Sequence, residues 1–389
     1  MQKSLIALAI GTFALGIAEF GMMGILGEVA RGINVSIVEA GHLISAYSLG
    51  VAIGAPMLIL LRRLPLRRLM LILCATIFIG NIAASLAPGY NTLLIARLIS
   101  GLPHGAFFGA GAIVCSRLAQ KGKGAQAVAV MVGGMTVANV FGVPLATYIA
   151  NIATWRIAFA CVAAFGLLAF ILIHSWLPFI SPLPDTGIKG QFHFLRHRAP
   201  WLIYTGVFFG QASVYCWFSY IEPIMTEITH FPTSSMTWIM MLAGVGMVAG
   251  NAIAGKLSDK YKASLVTAIL ALILIFIMPA IYFFAPDKIP SLILMFIATA
   301  GLFGIGGPLQ YLIVKYAKGG EMLGGAGIQI AFNVSNAVSA SLGGVAIHHG
   351  FGLASPALVG IPFAAIGSIA LFILYFSVEK KSLAQKASK

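Results

Sequence analysis

Long uncharged apolar runs, separated by short polar breaks, dominate the pattern along this chain. Residues 69–96, 124–155, 228–255 and 289–314 contain no Asp, Glu, Lys or Arg. A helix needs about 20 consecutive, mostly apolar residues to cross the hydrocarbon core of a bilayer. Each of these runs is long enough for one crossing, so the pattern predicts membrane-spanning helices joined by short loops.

The apolar runs and the loop signals between them predict twelve spans. An uncharged stretch at 322–378 is too long for one crossing, and the polar, Gly-rich segment 348–352 divides it. The predicted spans are 4–27, 38–61, 68–88, 91–116, 125–150, 155–177, 200–226, 233–257, 263–285, 289–314, 321–347 and 354–378. The predicted fold class is an all-α membrane protein.

The longest polar stretch lies between the sixth and seventh spans. It predicts an N-terminal six-helix bundle at 1–177, a cytoplasmic linker at 178–199, and a C-terminal six-helix bundle with a basic tail at 200–389. The two halves are weakly similar when Gly54 is aligned with Gly250. Two halves of six spans around a central pathway are typical of secondary transporters.

Lys and Arg residues predict the orientation. Loops on one side of the predicted spans carry twenty of them, whereas the opposite loops carry only Arg31, Arg156 and Lys288. The twenty are Lys3, Arg62, Arg63, Arg67, Arg68, Arg117, Lys121, Lys123, Lys189, Arg196, Arg198, Lys256, Lys260, Lys262, Lys315, Lys318, Lys380, Lys381, Lys386 and Lys389. By the positive-inside rule, both termini are expected in the cytoplasm.

Composition excludes several classes of protein. The chain is 60% hydrophobic with a mean hydropathy of +0.98 and only 9% charged residues, whereas soluble domains contain about 25% charged residues. A net charge of +14 could indicate nucleic-acid binding, but membrane topology already explains the loop cations.

The four cysteines lie in apolar segments without metal or disulfide spacing, and we expect them to be small core residues. The N-terminal apolar run is too long for a signal peptide and is expected to form the first span.

A polar motif follows the eighth predicted span, with the sequence Gly-Lys-Leu-Ser-Asp-Lys-Tyr-Lys at 255–262. It resembles the loop motif of the major facilitator superfamily. The resemblance implies that Gly255 allows close helix approach and that Asp259 forms a breakable latch between bundles. In the first half the acidic residue is absent, because Arg63 aligns with Asp259.

Motifs in the first half resemble the drug:proton antiporter branch of the same superfamily. They are Gly-Ile-Ala-Glu-Phe-Gly at 16–21, the stretch 40–56, Arg-x-x-x-Gly at 97–101, and Gly134 followed by Gly-Val-Pro at 142–144. Within this branch the chain is most similar to AraJ-type and sugar-efflux transporters. The resemblance covers essentially the whole chain.

The resemblance implies efflux of a small organic solute against proton entry. It also implies a role for Arg97 in proton coupling, and a bend in the fifth span formed by Gly134, Gly142 and Pro144. The energy source would be the proton gradient, with no cofactor. The expected location is a bacterial-type inner membrane, and the expected state is a monomer.

Buried ionisable residues in the first half are candidates for proton coupling. Glu19 is the only charge within 4–27, and a carboxylate there is costly until water or a cation reaches it. Arg97 cannot deprotonate, so it must pair or meet water. His104 follows Arg97 by about two turns, on the same face. The alternatives are a protonated Glu19 used for packing, an Arg97 that snorkels to the interface, and a His104 that only packs.

Neutral polar and aromatic residues in the second half are candidates for solute binding. In the seventh span, a spacing of four and then seven residues predicts one face for Gln211, Tyr215 and Glu222, although Glu222 could instead be solvated at the outer interface. Any of the candidates could instead hydrogen-bond a neighbouring helix. The complete set is Gln211, Tyr215, Trp217, Tyr220, Glu222, Gln310, Gln329, Asn333 and Asn336, with Asn139 from the fifth span.

The leading hypothesis is a proton-coupled exporter of a sugar-like or drug-like solute that works by alternating access. An importer or facilitative uniporter on the same fold is the alternative, and a membrane scaffold is a distant one. No metal-ligand cluster or Ser/His/Asp set occurs in the spans, which argues against an enzyme. The lack of a Gly-x-x-x-x-Gly-Lys-(Ser/Thr) motif excludes an ATP-driven pump of that class.

Overall fold

A computed structural model of the chain describes residues 2–61, 63–119, 124–182, 192–317 and 321–380. Every regular element in these ranges is a helix. The α-helices are α1 Gln2–Gly24, α2 Leu26–Gly32, α3 Ile37–Leu60, α4 Leu66–Ser85, α5 Tyr90–Leu118, α6 Gly124–Val137, α7 Val143–Ile152, α8 Trp155–Trp176, α9 Arg198–Phe218, α10 Ile221–Pro223, α11 Met236–Lys260, α12 Ala263–Phe283, α13 Lys288–Tyr316, α14 Glu321–His348 and α15 Pro356–Leu374. Short 3₁₀ turns lie at His193–Arg196 and Thr233–Ser235, and π-helical turns at Ala138–Gly142, Ile224–Ile228 and Tyr375–Glu379.

Eleven spans in the described ranges are long and apolar enough to cross a bilayer. They correspond to the predicted spans one to six and eight to twelve. The predicted seventh span corresponds to α9, which is not among the eleven. Polar and aromatic residues in α9, such as Gln211 and Trp217, lower its hydropathy. The twelfth crossing therefore stays a prediction.

The predicted seventh span is not one continuous helix. The sequence predicts it at 200–226, but α9 ends at Phe218, and the chain resumes as the three-residue α10 and then the π-helical turn Ile224–Ile228. Pro223 lies at this junction and has no N–H to continue the helical hydrogen bonding. The predicted shared face therefore holds for Gln211 and Tyr215 but not for Glu222, which lies beyond the break.

Close contacts divide the chain into two compact units. One comprises Met1–Thr186 with Pro232–Met241, and the other comprises Gly187–Phe231 with Leu242–Lys389. The predicted boundaries at 177 and 200 stay a prediction, and residues 183–191 of the predicted linker lie outside the described ranges.

Glycines allow close approach of α3 to α5 in the first unit and of α11 to α13 in the second. In the first unit, a Cβ on Gly50 or Gly54 of α3 would lie 2.1 or 1.8 Å from a backbone carbonyl oxygen of α5. In the second, a Cβ on Gly246 or Gly250 of α11 would lie 2.8 or 2.0 Å from a carbonyl oxygen of α13. Only glycine permits such backbone approach. The predicted alignment of Gly54 with Gly250 thus has a counterpart in the packing.

Large apolar side chains remain on the outer surfaces of the helices. Phe141, Ile152 and Phe283 are 61%, 65% and 72% exposed. Exposed apolar surface on many helices is compatible with a lipid environment, because apolar side chains that face lipid do not have to be buried in a protein core. The predicted core cysteines are free thiols, and all are buried except the half-buried Cys161.

Candidate functional site

Four side chains form a buried polar cluster in the first unit. Glu19 comes from α1, Tyr47 from α3, and Arg97 and His104 from α5. Each is at most 1% exposed. The predicted proton-coupling residues all belong to this cluster.

Arg97 is buried by direct contacts with backbone and aromatic rings. Its Nε donates to the Leu43 carbonyl at 3.3 Å, and its Nη1 donates to the Ala18 carbonyl at 2.8 Å. The guanidinium carbon lies 4.4 Å from the centroid of the Tyr47 ring and 5.6 Å from that of Phe159. Carbonyl oxygens and ring faces replace water around a charge that cannot be lost. The snorkelling alternative is therefore wrong, because Arg97 is 0% exposed.

His104 connects Tyr47 to Glu19. Its Nδ1 and the Tyr47 hydroxyl are hydrogen-bonded at 2.9 Å, and its Nε2 lies 3.8 Å from Oε2 of Glu19. The ring also stacks on Phe108, with the centroids 5.3 Å apart. Arg97 and His104 both contact Tyr47, as their predicted common face requires.

The cluster has the chemical features of a proton-binding site. Neither carboxylate oxygen of Glu19 has a hydrogen-bond partner among the described residues. A buried carboxylate without such partners is costly in its charged form, and a bound proton removes that cost. Arg97 supplies a permanent charge that favours the ionised form instead. The arrangement can thus hold Glu19 in either protonation state.

Sequence reasoning missed Tyr47. It lies in the second predicted span, where a tyrosine is unremarkable because aromatic residues are frequent in membrane helices. The sequence feature that could have identified Tyr47 is its hydroxyl group, which needs a hydrogen-bond partner when it is buried in apolar surroundings. Only the fold shows that this partner is His104 and that the same ring contacts Arg97.

Neutral polar side chains of α9 and α14 form a second buried group, within the second unit. Gln211, Trp217, Asn333 and Asn336 are each at most 1% exposed. Tyr215 of α9 packs edge-on against Phe332 of α14, with the ring centroids 5.5 Å apart. This contact links the two helices that carry most of the predicted solute-binding residues.

Several polar atoms of this group have no hydrogen-bond partner in the described part of the chain. They are Oε1 of Gln211, Nε1 of Trp217, Oδ1 of Asn333 and both side-chain polar atoms of Asn336. Gln211 uses its Nε2 to donate to the Leu302 carbonyl at 3.3 Å. The two helices thus carry neutral donors and acceptors, the kinds of group that bind the hydroxyl groups of a ligand.

The remaining predicted solute-binding residues differ in their burial and in their hydrogen bonds. The Tyr220 hydroxyl donates to the Ala340 carbonyl at 2.7 Å, which ties α14 to the junction between α9 and α10. Glu222 is 2% exposed, so the alternative of a solvated charge is wrong. Gln310 and Gln329 are half-buried, and Asn139 is buried in the π-helical turn of the first unit.

The predicted gating residues of the fifth span lie where α6 meets α1. A Cβ on Gly134 would be 2.0 Å from the carbonyl oxygen of Ala9, and one on Gly142 would be 2.7 Å from a side-chain carbon of Ile17. The π-helical turn Ala138–Gly142 lies between the two glycines, and Pro144 follows it at the start of α7. The predicted bend thus coincides with a change of helix type.

The loop motif of the second half differs from what its resemblance implies. A Cβ on Gly255 would meet no heavy atom within 4 Å in the described ranges, so this glycine is not at a close helix approach. That role belongs to Gly250, five residues earlier in α11. Asp259 lies in the last turn of α11, and its side chain is outside the described part of the structure.

Comparison with known proteins places the sequence among transporters. The sequence profile of the Major Facilitator Superfamily matches residues 8–328. AraJ of Escherichia coli (strain K12), which is named as a transporter, is 45% identical over 379 residues, covering 96% of each chain. The inner membrane transport protein YdhP of the same strain is 35% identical over 378 residues, covering 97% of this chain and 96% of YdhP.

More distant similarities agree with this placement. The protein named "probable sugar efflux transporter" of Helicobacter pylori (strain P12) is 26% identical and covers 95% of this chain and 93% of its own. The crystal structure of a D-xylose-proton symporter superposes with a TM-score of 0.73 at 17% identity, covering 96% of this chain and 97% of that one. At this identity the superposition shows the fold alone.

Proposed function

The chain belongs to the Major Facilitator Superfamily, and from this premise we propose that it exports a small neutral solute, sugar-like in its hydroxyl chemistry, in exchange for protons. The family and the relatives are transporters and not enzymes. The spans and the inner-membrane relatives make the chain a multi-pass bacterial inner membrane protein.

The observation that carries the proposal is the buried cluster of Glu19, Tyr47, Arg97 and His104. Ionisable residues within membrane spans are rare and mark proton or substrate pathways. Glu19 lies next to a fixed cation and a titratable imidazole but has no hydrogen bond of its own among the described residues. In these surroundings Glu19 can gain or lose a proton. A glutamate with a purely structural role would have no such exchange.

The proton cycle follows from electrostatics. When the pathway faces the proton-rich side, Glu19 takes up a proton and the attraction between its carboxylate and Arg97 is lost. When the pathway faces the cytoplasm, water reaches the carboxylate, the proton leaves, and Arg97 favours the ionised form. Every transport cycle thus moves a proton inward. The free energy released by this proton movement drives the solute outward by alternating access.

The neutral polar group of α9 and α14 supports the solute class. It presents amide oxygens, an amide nitrogen and an indole N–H, and no charged residue is needed to satisfy them. Sugars match such sites, because each hydroxyl both donates and accepts. The Helicobacter relative named as a probable sugar efflux transporter agrees with this class. The proposal includes no cofactor, a monomer, twelve spans and cytoplasmic termini.

Transport by the purified protein in liposomes tests the proposal. Vesicles of known protein orientation are loaded with acidic buffer, diluted into neutral buffer, and supplied with radiolabelled neutral sugars, with a nucleoside and a cationic dye as comparison solutes. We expect accumulation of a sugar by the inside-out molecules, because the acidic interior corresponds to the outside of the cell. An ionophore that collapses the gradient should abolish it.

The Glu19→Gln variant is measured alongside, with Glu28→Gln as a control at a partly exposed glutamate paired with Arg31. Glu19→Gln should lose the response to the gradient, and Glu28→Gln should keep it. Solute movement that ignores both the gradient and Glu19→Gln indicates a facilitator and contradicts the proposal. Accumulation on the alkaline side indicates proton symport, that is, an importer.

A further inference from the structure

A cavity of about 540 Å³ lies within the second unit, away from the neutral polar group of α9 and α14. The 3₁₀ turn His193–Arg196, the start of α9, the end of α13 and the π-helical turn after α15 contribute its lining. Pockets that bind small organic ligands measure about 300–1,000 Å³. The cavity is thus large enough for the polar headgroup of a lipid.

Apart from Tyr316, which carries a hydroxyl, the polar side chains that line the cavity are cationic or carry N–H donors. They are His193, His197, Arg198 and Lys315. Apolar and aromatic groups, among them Phe194, complete the lining. No acidic residue lines the cavity among the described residues, and Arg198 has no ion-pair partner there.

One carboxylate lies behind the cavity wall. Glu379 pairs with Lys315, whose Nζ is 3.7 Å from Oε1, and its Oε2 accepts hydrogen bonds from the Ser264 hydroxyl at 2.5 Å and the Ser264 N–H at 3.4 Å. The Glu379 side chain is 4% exposed, whereas that of Lys315 is 51% exposed. Glu379 therefore holds Lys315 at the cavity while leaving N–H donors of the ammonium group accessible.

The cavity lies at the level where membrane spans end. The span Lys288–Ile313 ends two residues before Lys315, and the span Pro356–Glu379 ends next to Val378 of the cavity lining. Trp201, one turn into α9, is 56% exposed and donates from Nε1 to the Leu195 carbonyl at 2.7 Å. Exposed Trp, Lys and Arg at span ends mark the headgroup region of a bilayer.

From these observations we propose that the cavity binds the phosphate headgroup of an anionic phospholipid. The phosphate accepts hydrogen bonds from Arg198 and Lys315, and the acyl chains leave along the apolar part of the lining. Arginine and lysine at the lipid–water boundary between helices are the groups that recognise such headgroups. This site is separate from the proposed solute pathway.

Native mass spectrometry of the full-length protein in detergent, titrated with phosphatidylglycerol or phosphatidylcholine, tests the site. We expect the wild type to bind one phosphatidylglycerol in preference to phosphatidylcholine. The Arg198→Gln/Lys315→Gln variant should bind phosphatidylglycerol about tenfold more weakly, since each cation near a headgroup strengthens binding severalfold. Its affinity for phosphatidylcholine should not change.

Lys3→Gln/Arg68→Gln is the matched control. It removes one lysine and one arginine from exposed positions of the other unit, and neither residue lines the cavity. It should bind phosphatidylglycerol as the wild type does. Equal wild-type binding of the two lipids overturns the proposal without recourse to any variant, and so does an equal loss in both variants. Displacement of phosphatidylglycerol by millimolar inorganic phosphate would show that a free anion is the ligand and would also overturn it.

Discussion

At the scale of single residues, substitutions of Glu19 and of Arg97 differ in which buried group remains and in whether that group is stabilised. Arg97 is the only permanent charge in the cluster, and Glu19 is the only carboxylate there. Removing one partner of a buried charge pair is costly mainly because the other is left without its counter-charge. The loss is small when the remaining group can become neutral, as Glu19 can by taking up a proton, or when it keeps other polar partners, as Arg97 does.

This difference predicts the outcome of a double-mutant cycle. Arg97→Gln should destabilise the protein by about 2–5 kcal/mol, mainly because the two buried backbone carbonyls of Ala18 and Leu43 lose their donor. Glu19→Gln should cost less, since Arg97 keeps its bonds to the Ala18 and Leu43 carbonyls. In the double variant the loss should be smaller than the sum of the two. Thermal unfolding in detergent, followed by near-ultraviolet circular dichroism, measures each term.

Additive effects, within about 0.5 kcal/mol, would show that the two residues do not interact. The cycle is repeated in the Tyr47→Phe background, which keeps the ring under Arg97 but removes the hydroxyl bonded to His104. The coupling energy should persist there, because the ring contact with Arg97 is retained.

At the scale of helices, the packing of α1 against α6 depends on one face of α6. Gly133 and Gly134 are neighbours in sequence but point in different directions. A Cβ on Gly134 would lie 2.0 Å from the Ala9 carbonyl oxygen and 2.4 Å from the Thr12 hydroxyl, whereas a Cβ on Gly133 would meet no heavy atom of the described residues within 4 Å. The Thr12 hydroxyl also donates to the Met131 carbonyl at 2.5 Å, which fixes the two helices at this point.

We therefore predict opposite effects for two alanine substitutions. Gly134→Ala should destabilise the protein by about 1–3 kcal/mol, because backbone atoms must move apart to admit the methyl group. Gly133→Ala should be neutral or stabilise it by up to about 1 kcal/mol through the higher helix propensity of alanine. Thermal unfolding of both variants checks the pair. An equal loss of stability in both would contradict the close approach of α1 and α6.

The helices could largely be predicted from the sequence, whereas their interruptions could not. Hydropathy suffices for most spans, because a bilayer selects helices by length and apolar content. The break after Phe218 and the π-helical turn Ala138–Gly142 depend on a few local hydrogen bonds that leave hydropathy unchanged. For the same reason Glu19 and Arg97 were evident as charges in apolar runs, whereas Tyr47 became evident only through its contacts.

At the scale of the whole molecule, the repeated glycine packing supports two related halves. Gly50 and Gly54 face carbonyl oxygens of Leu98 and Leu102, and Gly246 and Gly250 face those of Phe296 and Ala300. Both sets have a spacing of four on each helix. The chemistry differs between the halves despite this common packing, since the first unit carries the buried ionisable cluster and the second the neutral polar group. The proposed function assigns protons to the first unit and the solute to the second, and a shared framework with different side chains is what such a division requires.

Whether α9 crosses the membrane determines the side of the membrane on which every later loop lies. With twelve crossings, twenty of the loop Lys and Arg residues lie inside and three outside. Without α9, every later loop changes side, and the same residues divide into twelve inside and eleven outside. Such an even division would contradict the positive-inside rule, which favours an excess of cations in the cytoplasm. We therefore expect α9 to cross, although its hydropathy is lower than that of the other spans.

Reporter fusions distinguish the two topologies. Alkaline phosphatase fused after His230 should be active, because a crossing by α9 places this loop outside the cytoplasm, and green fluorescent protein at the same position should be dark. A fluorescent protein fused after Lys389 should be bright, since an even number of spans returns the chain to the cytoplasm. A fusion after Asp287 is a second readout of the same crossing, because that loop follows α9 and is also predicted outside. Inactive phosphatase at both loops, with a dark fusion after Lys389, would mean that α9 does not cross and that the lysines of the later loops face outward.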